Sequence, residues 1–296
     1  MENSNLFRLS SLAALLFLMV VFAGCNARKE PPAEAKGRVN ATDAFVSQFG
    51  PVPPIDKGTC YGFVIYFPSA KEPGKVLPFP FFSFDEGSLK KVAIGKLVAG
   101  MGDLPSYHGE LAQPFPAGTR VLDISQSGDT ASVNFSKELA GAKLDAKAQQ
   151  SLVNAVVLTL RQFAGVSRVA IKVDGADTPL NKLAASADEK SVLPLAPPRL
   201  LSVTGMKEKG RTDVEEIDAF FDRPVDIKEL TLSGADGKRI EGEIYQSVFD
   251  MAGVLKAKKP QPYQPGTTIK VHWKVVDKIG RASSGDTDVA LEVKEH

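Results

Sequence analysis

Residues 130–175 read TASVNFSKELAGAKLDAKAQQSLVNAVVLTLRQFAGVSRVAIKVDG. Thr130 to Phe135 alternates polar and apolar side chains, as a half-buried strand does. From Asp145 to Phe163 the period changes to that of a helix. Ala148, Leu152, Ala155, Val156, Thr159, Leu160 and Phe163 share one face, and Lys147, Gln150, Asn154 and Arg161 take the other. This spacing predicts the best helix in the chain, lying on a sheet with one side wet. Val169 to Val173 then reads as a strand closed by Asp174-Gly175.

Working upstream, Arg120 to Ser125 alternates in the same way and meets Thr130 through Ser127-Gly128-Asp129, a hairpin signal. Ser88 to Met101 places Leu89, Ala93, Ile94, Leu97, Val98 and Met101 on one helical face, with Gly100 and Gly102 ending it. Gly62 to Phe67 is a strand that stops at Pro68. Leu77 to Phe84 is a second one, confined to a sheet edge by Pro78 and Pro80. The predicted order is ββαββαβ. It implies an α+β fold in two layers, with both helices covering one sheet face.

Four blocks in this region resemble the GerM (GerMN) domain of spore-formation and germination lipoproteins. They are Leu97-Val98-Ala99-Gly100, Pro116-Ala-Gly-Thr-Arg-Val-Leu122, Ala131-Ser-Val-Asn-Phe-Ser-Lys-Glu-Leu139 and Val169 to Gly175. The likeness covers roughly Tyr61 to Leu180 and departs at Asn134, where the family commonly has Asp. It implies a non-enzymatic module with no catalytic residues to carry over. It also implies a link to sporulation or germination, and similarity to ring-building domains, so oligomerisation through this part of the chain.

Beyond the Pro-rich stretch Pro194-Leu195-Ala196-Pro197-Pro198 the pattern changes, and the expected boundary lies there. Thr267 to Val276 alternates Ile269, Val271, Trp273 and Val275 against Thr268, Lys270, His272 and Lys274; Val289, Leu291 and Val293 repeat the period. Leu200 to Thr204, Ile217 to Phe221, Leu230 to Leu232 and Ile240 to Tyr245 are shorter runs between turn signals. Many short strands predict an all-β sandwich. Phe221-Asp-Arg-Pro-Val-Asp226, Tyr263-Gln-Pro-Gly-Thr267 and Val271-His-Trp-Lys-Val-Val-Asp277 resemble bacterial Ig-like domains, including the copper-resistance type. Copper-binding relatives place a His after the Trp strand; here Asp277-Lys278-Ile279-Gly280 stands there, so no metal function follows.

At the other end, MENSNLFRLSSLAALLFLMVVFAGC carries Arg8 and an apolar run from Leu12 to Ala23. About a dozen residues is short of the ~20 that span a bilayer as a helix, which predicts a signal peptide over residues 1–24. Phe22-Ala23-Gly24-Cys25 resembles the lipobox of bacterial lipoproteins, with Phe22 where Leu, Val or Ile is usual. The resemblance implies cleavage before Cys25, acylation of its thiol and an extracytoplasmic body held on the membrane. Residues 25–58, with Pro31, Pro32, Pro51, Pro53 and Pro54, read as a tether; Phe45, Val46 and Phe49 suggest a brief helix, too small to fold alone. The domains expected after it are residues 59–182, GerM-like, and residues 197–296, Ig-like.

The chain has 296 residues, with 36 Lys and Arg against 35 Asp and Glu, 43% hydrophobic residues and two cysteines. At roughly 100 to 200 residues per domain, that suits two domains with real cores. A formal charge of +1 supplies no bulk pull on nucleic acid. With Cys25 acylated, Cys60 has no intramolecular disulfide partner and reads as a buried hydrophobe.

Histidines occur at 108, 272 and 296 without zinc spacing. Glu215-Glu216 and Asp286/Asp288 lack a calcium-loop pattern, and Lys256, Lys258 and Lys259 before Pro260 read as a solvated loop. No phosphate loop is present: Gly95, Gly100 and Gly102 belong to a helix and its cap. No cofactor, metal or catalytic residue is expected. The leading expectation is a binding or scaffold lipoprotein that meets the membrane through Cys25 and an envelope protein or peptidoglycan through its body. The competing one is an accessory peptidoglycan enzyme, with Cys60 as nucleophile and His108 as base.

Overall fold

A computed structural model describes residues 37–295 apart from Asp103, Pro114 and Ala142. The expected signal peptide, Cys25, the first part of the expected tether and His296 lie outside the described residues. What is described is a mixed α/β chain, rich in strands, with its apolar residues gathered into two cores.

The first core begins earlier than expected. Arg38–Ala41 forms strand β1 and Asp43–Phe49 forms helix α1, whose N-cap Thr42 accepts a hydrogen bond from the Phe45 N–H. Phe45 and Phe49 are buried, their rings 5.3 Å apart, and Phe45 meets Phe82 edge-on at 5.5 Å. The tether reading of residues 25–58 is therefore corrected for this part. Two aromatic residues four apart are too few to fold alone, but they bury fully against a sheet supplied by the rest of the chain.

That sheet has the order β1-β2-β3, with Thr59–Pro68 as β2 and Val76–Ser83 as β3. β1 is parallel and β3 antiparallel to β2, so Pro78 and Pro80 do occupy an edge strand. After α2 (Leu89–Ala99) comes a second sheet, β4-β5-β6-β7, made of Val121–Ser127, Thr130–Phe135, Arg168–Val173 and Ala176–Asp177. β5 and β6 are parallel, a pairing that requires a crossover, and α3 (Ala146–Arg161) supplies it.

α3 corrects the expected single sheet with a wet helix face. Every residue from Ser151 to Leu160 is buried, and the helix packs against both β2 and β6, strands of different sheets. Its polar side chains complete the backbone of its neighbours. Gln162 accepts from the Val64 N–H at 2.7 Å and donates to the Val64 carbonyl; Thr159 accepts from the Tyr66 N–H at 3.1 Å. Asn154, expected outside, is 3% exposed and donates to the Gly74 carbonyl, while Ser151 accepts from the Gly74 N–H. β1 ends opposite Gly62, so the rest of that β2 edge finds its partners in helix side chains.

After α4 (Asn181–Ala184) the chain stays on the first core, with Val192 bridged to Val76 and Leu195 packed on it. Two further sheets follow. One is β10-β13-β14, from Val225–Gly234, Thr268–Asp277 and Ala282–Ala290. The other is β11-β12-β9-β8-β15, from Gly242–Gln246, Ala252–Gln261, Val214–Phe221, Leu200–Lys207 and Glu292–Glu295. Between them Phe221 meets Trp273 edge-on at 5.5 Å. β13 keeps the expected alternation. A Cβ on Gly285 would lie 2.9 Å from the Trp273 ring, so the opposing strand leaves room for the indole.

Two expectations change here. The run Val289, Leu291, Val293 is split, Val289 on β14 and Val293 on β15, with Leu291 buried between strands of different sheets. The lysines 256, 258 and 259 stand on β12, a strand hidden by its charges.

Candidate functional site

Cys60 and His108 are not brought together. Cys60 is fully buried in β2, and burial pushes its thiol upward, away from the thiolate that attacks a substrate. His108 sits on an exposed turn at φ 48°. His272 on β13 holds Asp286 at 2.7 Å and Glu229 at 3.5 Å; these carboxylates raise its pKa above 6.5. Among the described residues, no group of three or more His, Cys, Asp or Glu is placed to hold a metal ion.

The dense polar chemistry lies where the two cores meet. Arg223 is 2% exposed and grips Asp222 with two parallel hydrogen bonds at 2.9 and 2.8 Å. Its Nη1 also lies 3.7 Å from Asp277. Asp277 accepts from Arg281 Nε at 2.6 Å, and Arg281 donates onward to the Leu195 carbonyl at 3.2 Å and the Gln48 carbonyl at 3.5 Å. On the other flank Arg199 pairs with Glu110 at 2.8 Å and lies over the Tyr107 ring. Burial pushes the Glu110 carboxyl up, but Arg199 and Lys71 outweigh it and hold it below its ordinary value. Arg199 Nε also lies 3.7 Å from Asp222, so Lys71, Glu110, Arg199, Asp222, Arg223, Asp277 and Arg281 form one alternating ion chain across the junction.

Packing reinforces it. The Phe249 ring from the second half lies flat on Phe82 from the first, centroids 4.1 Å apart and planes 3° apart. Phe249 and its neighbour Asp250 have φ of 68° and 54°, a left-handed conformation that costs ordinary residues about 1–2 kcal/mol each. The stacked ring holds one and Lys278, 2.7 Å from Asp250, holds the other. A Cβ on Gly50, at φ 80°, would lie 2.8 Å from the Lys278 carbonyl, so α1 ends directly against the β13–β14 turn. The described residues accordingly form one compact unit.

Two surface features remain. A cleft of about 700 Å³ lies between α2 and residues 113–121, lined by Lys91, Gly95, Val98, Phe115 and Arg120. Gly95 has open space where its side chain would be, which leaves the helix bare there. A smaller cavity of about 250 Å³ lies at the junction beside Glu110, Arg199, Asp222 and Arg223, where Glu110 already pairs with Arg199 and Asp222 with Arg223.

Sequence reading missed the ion chain. Its signal is the Asp222-Arg223 pair directly after the apolar Phe220-Phe221, charges placed where a strand enters a core. Only spatial neighbours distinguish such charges from a solvated turn.

Geometry therefore defines a two-core protein whose halves are joined by a buried ion chain and stacked rings. Residues 64–178 match the family model Germane, described as sporulation and spore germination, and this part of the chain is a GerM-type domain. Among solved structures, the chain is similar to the first GerMN domain of the sporulation protein GerM from Bacillus subtilis, at 22% identity over 40% of this chain and 85% of that one, TM-score 0.32. A further likeness is to a protein from Clostridium perfringens described as a putative lipoprotein, at 24% identity over 39% of this chain and 75% of that one, TM-score 0.27. CopC from Methylosinus trichosporium OB3b is similar at 14% identity over 33% and 97%, TM-score 0.23. No curated protein matches the chain.

Proposed function

We propose that this protein is a non-catalytic binding or scaffold module of the cell envelope, linked to sporulation or germination and held outside the membrane by lipid on Cys25. The GerM-type domain carries the reading, fused through a buried ion chain to a second, Ig-like β half. A scaffold needs fixed spacing between contact surfaces, and two cores locked by charge and ring stacking provide it. The enzyme reading loses support because Cys60 is fully buried and its thiol is pushed away from the reactive form. More than one acyl chain on Cys25 gives durable attachment, since each buried CH₂ contributes only ~0.8 kcal/mol.

Two measurements test the reading. Labelled palmitate enters the native chain and not Cys25→Ala. The Cys60→Ser, His108→Ala double variant leaves peptidoglycan composition unchanged. A changed wall composition in a folded double variant sinks the non-catalytic reading, and equal labelling of Cys25→Ala sinks the anchor.

A further inference from the structure

Among the described residues, the two most exposed large apolar side chains, Val248 and Phe84, both lie by Phe249, one next to it in the chain and the other with its ring nearby. Phe84, 63% exposed, extends from the end of β3, and Val248, 65% exposed, stands beside Phe249 on the strained turn. The Phe249 ring stacks on Phe82 and lies 5.9 Å from Phe84. Phe84, Phe249 and Val248 therefore make one apolar tip that neither half presents alone.

The place where the chain enters the body points to what covers this tip. Arg38 pairs with Thr59, and Tyr61 pairs with Ser83, so β1 and the end of β3 flank the same end of β2. Two strand spacings, about 10 Å, separate the entry of the chain from Phe84. Arg38 and Glu86 both act on the Tyr61 hydroxyl, which places the loop after Phe84 beside the entry strand. From Cys25 to Gly37 the chain spans at most ~40 Å when fully extended. A short link of this kind gives the tip an effective concentration near a surface on the order of millimolar, so a small apolar contact suffices.

We propose that the tip formed by Phe84, Val248 and Phe249 docks on the lipid surface to which the chain is anchored. The anchor then fixes distance and the tip fixes orientation, which presents the opposite parts of the two-core body to the envelope. This rests on the lipid-anchor reading.

The test uses the full lipidated chain in vesicles of phosphatidylethanolamine and phosphatidylglycerol, part of the lipid carrying brominated acyl chains. Val248→Trp reports the tip. Leu122→Trp, at a 44% exposed site on β4, is the control, and native Trp273 is buried and supplies the background. Flotation first establishes attachment. Docking predicts several-fold stronger bromine quenching at position 248 than at 122, with a blue-shifted emission. A chain that floats while both positions are quenched alike overturns the docked tip and leaves the anchor standing. A chain that does not float with Cys25 intact overturns the anchor and the docking together. Shielding of position 248 by a crosslinked envelope protein, with no bromine quenching, assigns the tip to a protein partner and overturns the lipid.

Discussion

Arg223 shows how a single side chain couples two halves of a molecule. Its guanidinium joins Asp222 to Asp277 with almost no exposure to water. Removing one partner of a buried ion group leaves the others charged and desolvated. Arg223→Ala is expected to lower unfolding stability by about 3–5 kcal/mol in urea titration. His272 makes a different prediction. Asp286 and Glu229 raise its folded pKa above the 6.5 of an unperturbed imidazole. The stabilisation it contributes is fully present below that value and is lost as pH rises through the folded pKa. NMR titration should place the His272 midpoint above 6.5, and Asp286→Asn should bring it down.

At the level of elements, α3 governs the first core. Its periodicity is plain in the sequence, but that spacing puts its polar residues on the face away from the sheet, because hydrophobic spacing alone says nothing about backbone groups awaiting partners. Gln162 serves both the N–H and the carbonyl of Val64 in buried β2. Gln162→Leu strands those two groups, each costing about 1–3 kcal/mol, for an expected loss of roughly 2–6 kcal/mol by chemical denaturation. Asp145, the N-cap that accepts from the Ala148 N–H at 2.8 Å, is worth less: Asp145→Ala is expected to cost about 1 kcal/mol. α1 teaches the complementary lesson. Two aromatic residues in a Pro-rich stretch cannot fold by themselves, and their burial is decided by the sheet they meet.

For the whole molecule, the junction predicts one cooperative transition. Differential scanning calorimetry of the native chain should give a single peak, and combining Arg281→Ala with Phe249→Ala should split it into two several degrees apart. Those substitutions remove the guanidinium that reaches Asp277, Leu195 and Gln48, and the ring stacked on Phe82. Local patterns in the sequence established the strands around Thr130 and Val169, the helix between them and the alternation of β13, because period and turn chemistry act over a few residues; the GerM-type stretch was legible only as a resemblance to a family. β12 stayed hidden, since lysines on a strand look like lysines on a loop. The division of the first half into two sheets, the burial of Asn154 and Cys60, the ion chain and the apolar tip were decided only in tertiary structure. Each depends on what lies opposite a residue in space, and the free energy of a buried charge, amide or ring is set by that neighbour rather than by its place along the chain.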